Sequence, residues 1–152
     1  MRSGAKAIFW GGFAAGVLDI TQAILAFGLM RGVKPIRIPQ SIASGLLGPK
    51  AYQGGWQTAT LGMLLHFFIA FTAAAVFYLA SRKLRWMTER PILAGILYGE
   101  VVWAFMRYVV IQSSRMPLGP LTGPSLLTGP IGHIFCVGLP IALAVKKWGD
   151  VS

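Results

Sequence analysis

Four long apolar runs dominate the chain, at residues 8–30, 58–80, 91–113 and 126–145. Each is close to the 20 or so apolar residues that one helix needs to cross a bilayer. Pro91 opens the third run, where a helix tolerates a proline because the first donors have no intrahelical partner. Pro140 lies inside the fourth and predicts a kink there, which a neighbouring helix or water must satisfy. Arg2 and Lys6 before the first run imitate a signal peptide. The run is too long, however, and Asp19 and Gln22 interrupt it, so it is expected to be retained. The pattern predicts an all-α polytopic membrane protein with four transmembrane helices in a single domain, residues 1–152.

The segments between the runs differ in kind. Residues 31–57 form a long first loop. Within it, Pro39 to Gly48 carries Ile42, Leu46 and Leu47 at helical spacing, which predicts a short amphipathic or re-entrant element in an external interfacial loop. The stretch from Met116 to Pro130 holds four prolines and three glycines and reads as a structured turn region, not a helix. A weak internal echo pairs Ala15-Gly16-Val17-Leu18 with Ala94-Gly95-Ile96-Leu97. It also pairs Gly62-x-x-x-His66 with Gly129-x-x-x-His133, so two duplicated helical hairpins are possible, although Asp19 and Glu100 do not align in that register.

Composition supports the membrane reading, since 55% of residues are hydrophobic, 12% are charged and the mean hydropathy is +0.66. Soluble domains carry about 25% charged residues. The net charge of +10 would suit a nucleic-acid binder, but the cations sit between the apolar runs, where membrane topology puts them, so no nucleic-acid partner is expected. With both termini inside, Arg2, Lys6, Arg82, Lys83, Arg85, Arg90, Lys146 and Lys147 face the cytoplasm. Arg31, Lys34, Arg37, Lys50 and Arg115 then lie outside, and eight against five predicts an N-in, C-in topology. The single Cys136 rules out an internal disulfide and any multi-cysteine metal motif. Trp10, Trp56, Trp86 and Trp148 fall near the predicted interfaces, while Trp103 is deeper.

Asp19, His66, Glu100, Arg107 and His133 fall within the spans, with Gln22 beside the first. An acid or arginine at a helix centre costs roughly 2.5–3.5 kcal/mol on insertion scales unless it is paired, protonated or hydrated, so each is a candidate site residue. Counting 1.5 Å per residue from each helix midpoint puts Asp19 and Glu100 near the midplane. The histidines come out roughly 4–5 Å outward and Arg107 roughly 7–8 Å outward, in one polar layer. Small residues flank the candidates: Gly12, Ala15, Gly16, Ala23 and Ala26 around Asp19; Gly62, Ala70 and Ala73 around His66; Gly129 and Cys136 around His133. Such stripes allow close helix approach, within the bundle or in a homo-oligomer.

These residues support several functions. In a structural or partner-binding membrane factor, Asp19 and Gln22 bond a neighbouring helix, the histidines donate to carbonyls, and Glu100 and Arg107 neutralise each other. In a proton-coupled transporter or channel for small solutes, Asp19 or Glu100 binds the proton and a histidine titrates near neutrality. In a cofactor protein, His66 and His133 ligate haem or a metal. No cofactor is called for otherwise. No nucleophile motif, H-E-x-x-H, Walker loop or G-x-G-x-x-G is present, so an enzyme acting on lipid or quinone has little beyond a carboxylate and a histidine.

Three segments carry a resemblance: Gln40-Ser-Ile-Ala-Ser-Gly-Leu-Leu-Gly48, Leu65-His66-Phe67-Phe68-Ile69-Ala70 and Cys136-Val-Gly-Leu-Pro-Ile-Ala-Leu143. Together they resemble a group of uncharacterised bacterial four-helix integral membrane proteins, distantly similar to the YagU-type inner-membrane proteins. The likeness spans nearly the whole chain and implies an acid-stress association without a mechanism. It implies Asp19, His66 and His133 as the shared polar set. Glu100 and Arg107 depart from the pattern, which favours a compensating pair particular to this chain.

Overall fold

A computed structural model describes residues 3–116 and 125–149, and every regular element among them is helical. Helix α1 spans Gly4–Arg31, α2 Arg37–Leu47, α3 Gly55–Ser81 and the single turn α4 Trp86–Glu89. Helix α5, Pro91–Phe105, runs on into a π turn at Met106–Val110; α6, Ser125–His133, runs through a second π turn at Ile134–Gly138 into α7, Leu139–Trp148. Four stretches are long and apolar enough to cross a membrane: Gly4–Arg31, Gly55–Ser81, Pro91–Val110 and Thr128–Trp148. All four overlap the predicted runs.

Local chemistry sets the ends. Ser3 caps α1 by accepting the Lys6 N–H at 3.3 Å. Gly32 stops it in the left-handed region at φ 63, and its N–H returns to the Gly28 carbonyl at 3.0 Å. A side chain at that φ would be strained, so glycine is what allows the chain to turn there. Pro91 occupies the first turn of α5 as expected.

One expectation needs correction. Helix begins at Ser125, so 125–130 is helical and not a turn, and Pro130 sits inside α6. As the sixth helical residue it lies beyond the free first turn, so its missing N–H forfeits the bond to the Leu126 carbonyl. The rest of that predicted turn, residues 117–124, lies outside the described residues, as does Arg2. In the first loop, α2 forms where an amphipathic element was expected. Ile38, Gln40, Ala43 and Ser44 are buried, Ile42 is half-buried, and Leu46 and Leu47 are exposed. Pro140, expected to kink the fourth span, follows directly on a π turn in which the Leu139 N–H reaches back to the Ile134 carbonyl. The change of register falls where proline could not have continued the α-helical ladder.

The long helices run antiparallel to their packing neighbours. Gly12 and Gly16 of α1 receive Phe71 and Phe67 of α3, and Gly11 lies against Ile141 and Ala144 of α7. The α5–α7 seam is closer still: a β-carbon on Gly138 would overlap the Gly95 carbonyl oxygen, and one on Gly99 would crowd the His133 backbone. Small residues let these backbones approach, as is usual where apolar helices cannot rely on water to drive them together. Gly11, Gly12 and Gly16 on α1 and Gly95, Gly99 and Gly138 on the second hairpin are thus occupied within the chain. Helices α3 and α5 are joined more sparingly, through the Tyr98 hydroxyl donating to the Ala73 carbonyl at 2.7 Å and the Phe77–Tyr98 ring contact at 5.0 Å.

One end of the bundle is solidly filled. Ala7, Phe77, Met87, Ile141 and Val145 pack together there, and Phe77, Ile141 and Val145 are fully buried. Around the outside lies a girdle of exposed large apolar side chains, among them Leu29, Leu64, Phe68, Ile92, Val101 and Phe135. The two hairpins are not copies in detail: α1 and α3 are continuous α-helices, whereas both π turns belong to the second pair.

Candidate functional site

Asp19 is half-buried on α1, between the Gly12/Gly16 line that faces α3 and the Gly11 position that faces α7. The histidines straddle it. His66 of α3 donates from Nε2 to the Gly16 carbonyl at 2.8 Å, three residues before Asp19. Gly132, the neighbour of His133, packs under the Gln22 side chain, three residues after Asp19. Counting from helix midpoints had put both histidines on the same side of Asp19. The packing register differs because the helices do not end where the apolar runs do: Gly4–Arg31 and Gly55–Ser81 extend unequally beyond 8–30 and 58–80, whereas Pro91–Val110 stops short of 113.

Two cavities meet at this point. The larger, about 460 Å³, is lined by Asp19, His66 and His133 and by apolar groups such as Ile20, Ile69, Val102 and Val137. The smaller, about 330 Å³, is lined by Asp19, Gln22, His133, Arg107, Arg31 and Trp103. Asp19 and His133 therefore form part of the wall of both. Of the six candidates from the sequence, the cavities collect five, and Glu100 lines neither.

Helix α2 roofs the larger cavity with Arg37, Ile38, Ser41 and Ile42. Buried Gln40 fixes it in place, donating from Nε2 to the Gly55 carbonyl at 3.0 Å, while Thr58 donates its hydroxyl to the Ala51 carbonyl at 2.6 Å. Gly62 of α3 faces the Pro39 carbonyl so closely that a β-carbon there would overlap it. At the roof's far end the Arg115 N–H donates to the Gly45 carbonyl at 3.0 Å, so α2 bridges the start of α3 and the segment after α5. The glutamine, an ordinary loop residue in the sequence, and Gly62, part of the small-residue stripe around His66, set the height of the roof.

The π turns flank the same space. Ile111 donates to the Met106 carbonyl at 2.9 Å, five residues back, and Met106 and Arg107 of that turn line cavity walls. The second turn starts directly after His133 and carries Val137 to the larger cavity. Such turns recur at functional sites because they re-aim side chains at the cost of regular hydrogen bonding. Apolar periodicity carries no signal for them. Nothing in Met106–Val110 explains the first turn.

The carbonyl partners make one ring nitrogen of each histidine a donor. His133 donates from Nδ1 to the Gly129 carbonyl at 3.0 Å, within its own helix, and His66 from Nε2, so in the neutral rings the lone pairs fall on His133 Nε2 and His66 Nδ1. Among the described residues no group of three or more His, Cys, Asp and Glu is placed to hold a metal ion. A haem held by both rings would have to take His66 through Nδ1 or break its bond to Gly16. No family model, curated protein or solved structure matches the chain.

Proposed function

We propose that this chain is a multi-pass protein of a bacterial inner membrane, with both termini on the cytoplasmic side. In this reading it binds a small, largely apolar molecule within the membrane as a carrier or channel for that solute. The observation that carries the reading is the meeting of two cavities at Asp19 and His133. Ligand sites are concave, mostly apolar and provided with a few convergent polar groups, typically in volumes of about 300–1,000 Å³. A bundle whose polar residues served only to hold helices would be expected to close around them. The girdle of exposed apolar side chains supports insertion in lipid. The orientation rests on Lys6, Arg82, Lys83, Arg85, Arg90, Lys146 and Lys147 at the end opposite α2. Membership of the YagU-like group is part of the same proposal.

A second reading, a structural or partner-binding membrane subunit, is favoured by one observation: both histidines donate to backbone carbonyls and so hold the helices as well as facing the cavity. Cysteine accessibility separates the two. In a Cys136→Ser background reconstituted in liposomes, Ala23→Cys, on the wall of both cavities, should react with a small charged methanethiosulfonate. Leu64→Cys, on the exposed apolar girdle, should not, because the reagent needs a thiolate and lipid suppresses it. Equal inertness at both positions would sink the carrier reading and leave the structural one.

A further inference from the structure

Building on the binding reading above, we infer that the larger cavity takes an amphipathic amine, its protonated nitrogen at Asp19 and its apolar body among Ile20, Ile69, Val102 and Val137.

The inference starts from which donors are already used. A neutral imidazole has one donor and one acceptor, and His66 and His133 have both spent the donor on backbone carbonyls. Ser41 on the roof has spent its hydroxyl on the Ile38 carbonyl at 2.7 Å. Asp19, when ionised, offers only acceptor oxygens. Asp19, His66 and His133, from α1, α3 and α6, therefore present lone pairs and, with Asp19 ionised, a negative charge to the interior. An occupant that brings donors and a positive charge satisfies them. One that brings a carboxylate sets like charges together in an apolar surrounding, where an unpaired charge is most costly.

The cations are placed consistently with this. Among the described residues Arg37, on the roof, is the one arginine or lysine lining the larger cavity, and it is exposed with its guanidinium 5.3 Å from the centre of the Tyr52 ring. Arg31 and Arg107 line the smaller cavity and not the larger. The roughly 460 Å³ available suits a compact cage or short-chain amine.

Three rigid probes of nearly one shape test the assignment: 1-adamantylamine, 1-adamantanol and adamantane-1-carboxylate. In the Cys136→Ser background, Ala70→Cys reports on the larger cavity and Thr128→Cys on the smaller. The amine should slow methanethiosulfonate modification of Ala70→Cys at pH 7 at least tenfold more effectively than the other two, and spare Thr128→Cys. Adding Asp19→Asn should weaken that protection tenfold or more, while Asp19→Glu should keep part of it. Equal or better protection by the alcohol or the carboxylate overturns the amine assignment and leaves the binding reading standing. Protection insensitive to Asp19→Asn also overturns it. An Ala70→Cys that reacts with no reagent removes the cavity itself, and both readings with it. The probe ranking in the Asp19 chain decides the matter even if Asp19→Asn fails to fold.

Discussion

The two ends of this bundle are built from similar residues and reach opposite results. At the end away from α2, Phe77, Ile141 and Val145 fill the centre and alanines close the remaining gaps. At the α2 end, alanines such as Ala23, Ala70 and Ala73 line open space, and polar side chains occupy the walls. The difference lies in what faces each alanine. Across the closed end stand large side chains and one tyrosine that ties α3 to α5. Across the open end α3 and α5 are apart, and a roof, not a packed core, completes the enclosure. Small residues bring helices together only where a partner backbone or ring is present to use the room.

The most direct way to break this contrast is to hollow out the filled end. Phe77→Ala removes a fully buried ring that also contacts Tyr98, and large-to-small changes of this kind cost about 3–5 kcal/mol. The expected outcome is a large drop in midpoint for unfolding by SDS in mixed micelles. A drop of under about 1 kcal/mol would show that this end is no better packed than the other.

Gly62→Ala comes next. Its methyl group would meet the Pro39 carbonyl, so α2 must shift or α3 must bend, and overpacking typically costs about 1–3 kcal/mol. Because the strain falls on the roof, Ala70→Cys in the larger cavity should react faster in this variant, while Thr128→Cys should change little. An unchanged rate at both positions would mean the roof does not control entry.

His66→Ala has a smaller expected effect. The ring's bond to Gly16 is one interhelical contact, and these average about 0.6 kcal/mol, reaching about 1.7 at most. A loss in that range, measured by the same unfolding, fits a residue that orients the site more than it supports the fold. A loss above about 3 kcal/mol would mark His66 as part of the packing and move the boundary between the two ends.

How much of this was legible in the sequence depends on the kind of information each feature needs. The four spans were, because apolar length is a property of each segment alone. The candidacy of Asp19, His66 and His133 was too, since a polar group in an apolar run is conspicuous without knowing its neighbours. The relative heights were not: His66 meets Gly16 through the packing of Phe67 and Phe71 into Gly16 and Gly12, and helix midpoints hold no record of that register. Which residues of α2 the bundle buries was not legible either: Ile42, Leu46 and Leu47 marked the segment as amphipathic, but nothing local in the loop showed that Ile38, Gln40 and Ser44 would meet the other helices. Glu100 stood beside Asp19 in the predicted layer by height alone. Lining a cavity also requires the right azimuth, which Glu100 lacks, whereas Arg107, expected two turns along the same face, is turned off that face by the π turn that starts at Met106 and lines the smaller cavity.

The smallest expected change in stability is the one most particular to the contrast. Ala70→Leu adds bulk at a position that is buried yet lines the larger cavity. In a filled core, extra methylenes force side chains off their rotamers and cost about 1–3 kcal/mol. Beside open space of roughly 460 Å³ the leucine has room, and the dispersion contacts it gains with Ile69 and Val102 offset the ordering of its side chain. The expected outcome is a change of under about 1 kcal/mol in either direction, together with loss of 1-adamantylamine protection at an Ala73→Cys reporter on the same wall. The paired substitution Ala74→Leu, on the same helix at a fully buried site in the filled end, should be clearly destabilising. Equal costs for the two leucines would mean that the cavity closes around Ala70 in the folded protein, and the distinction between the ends would go with it.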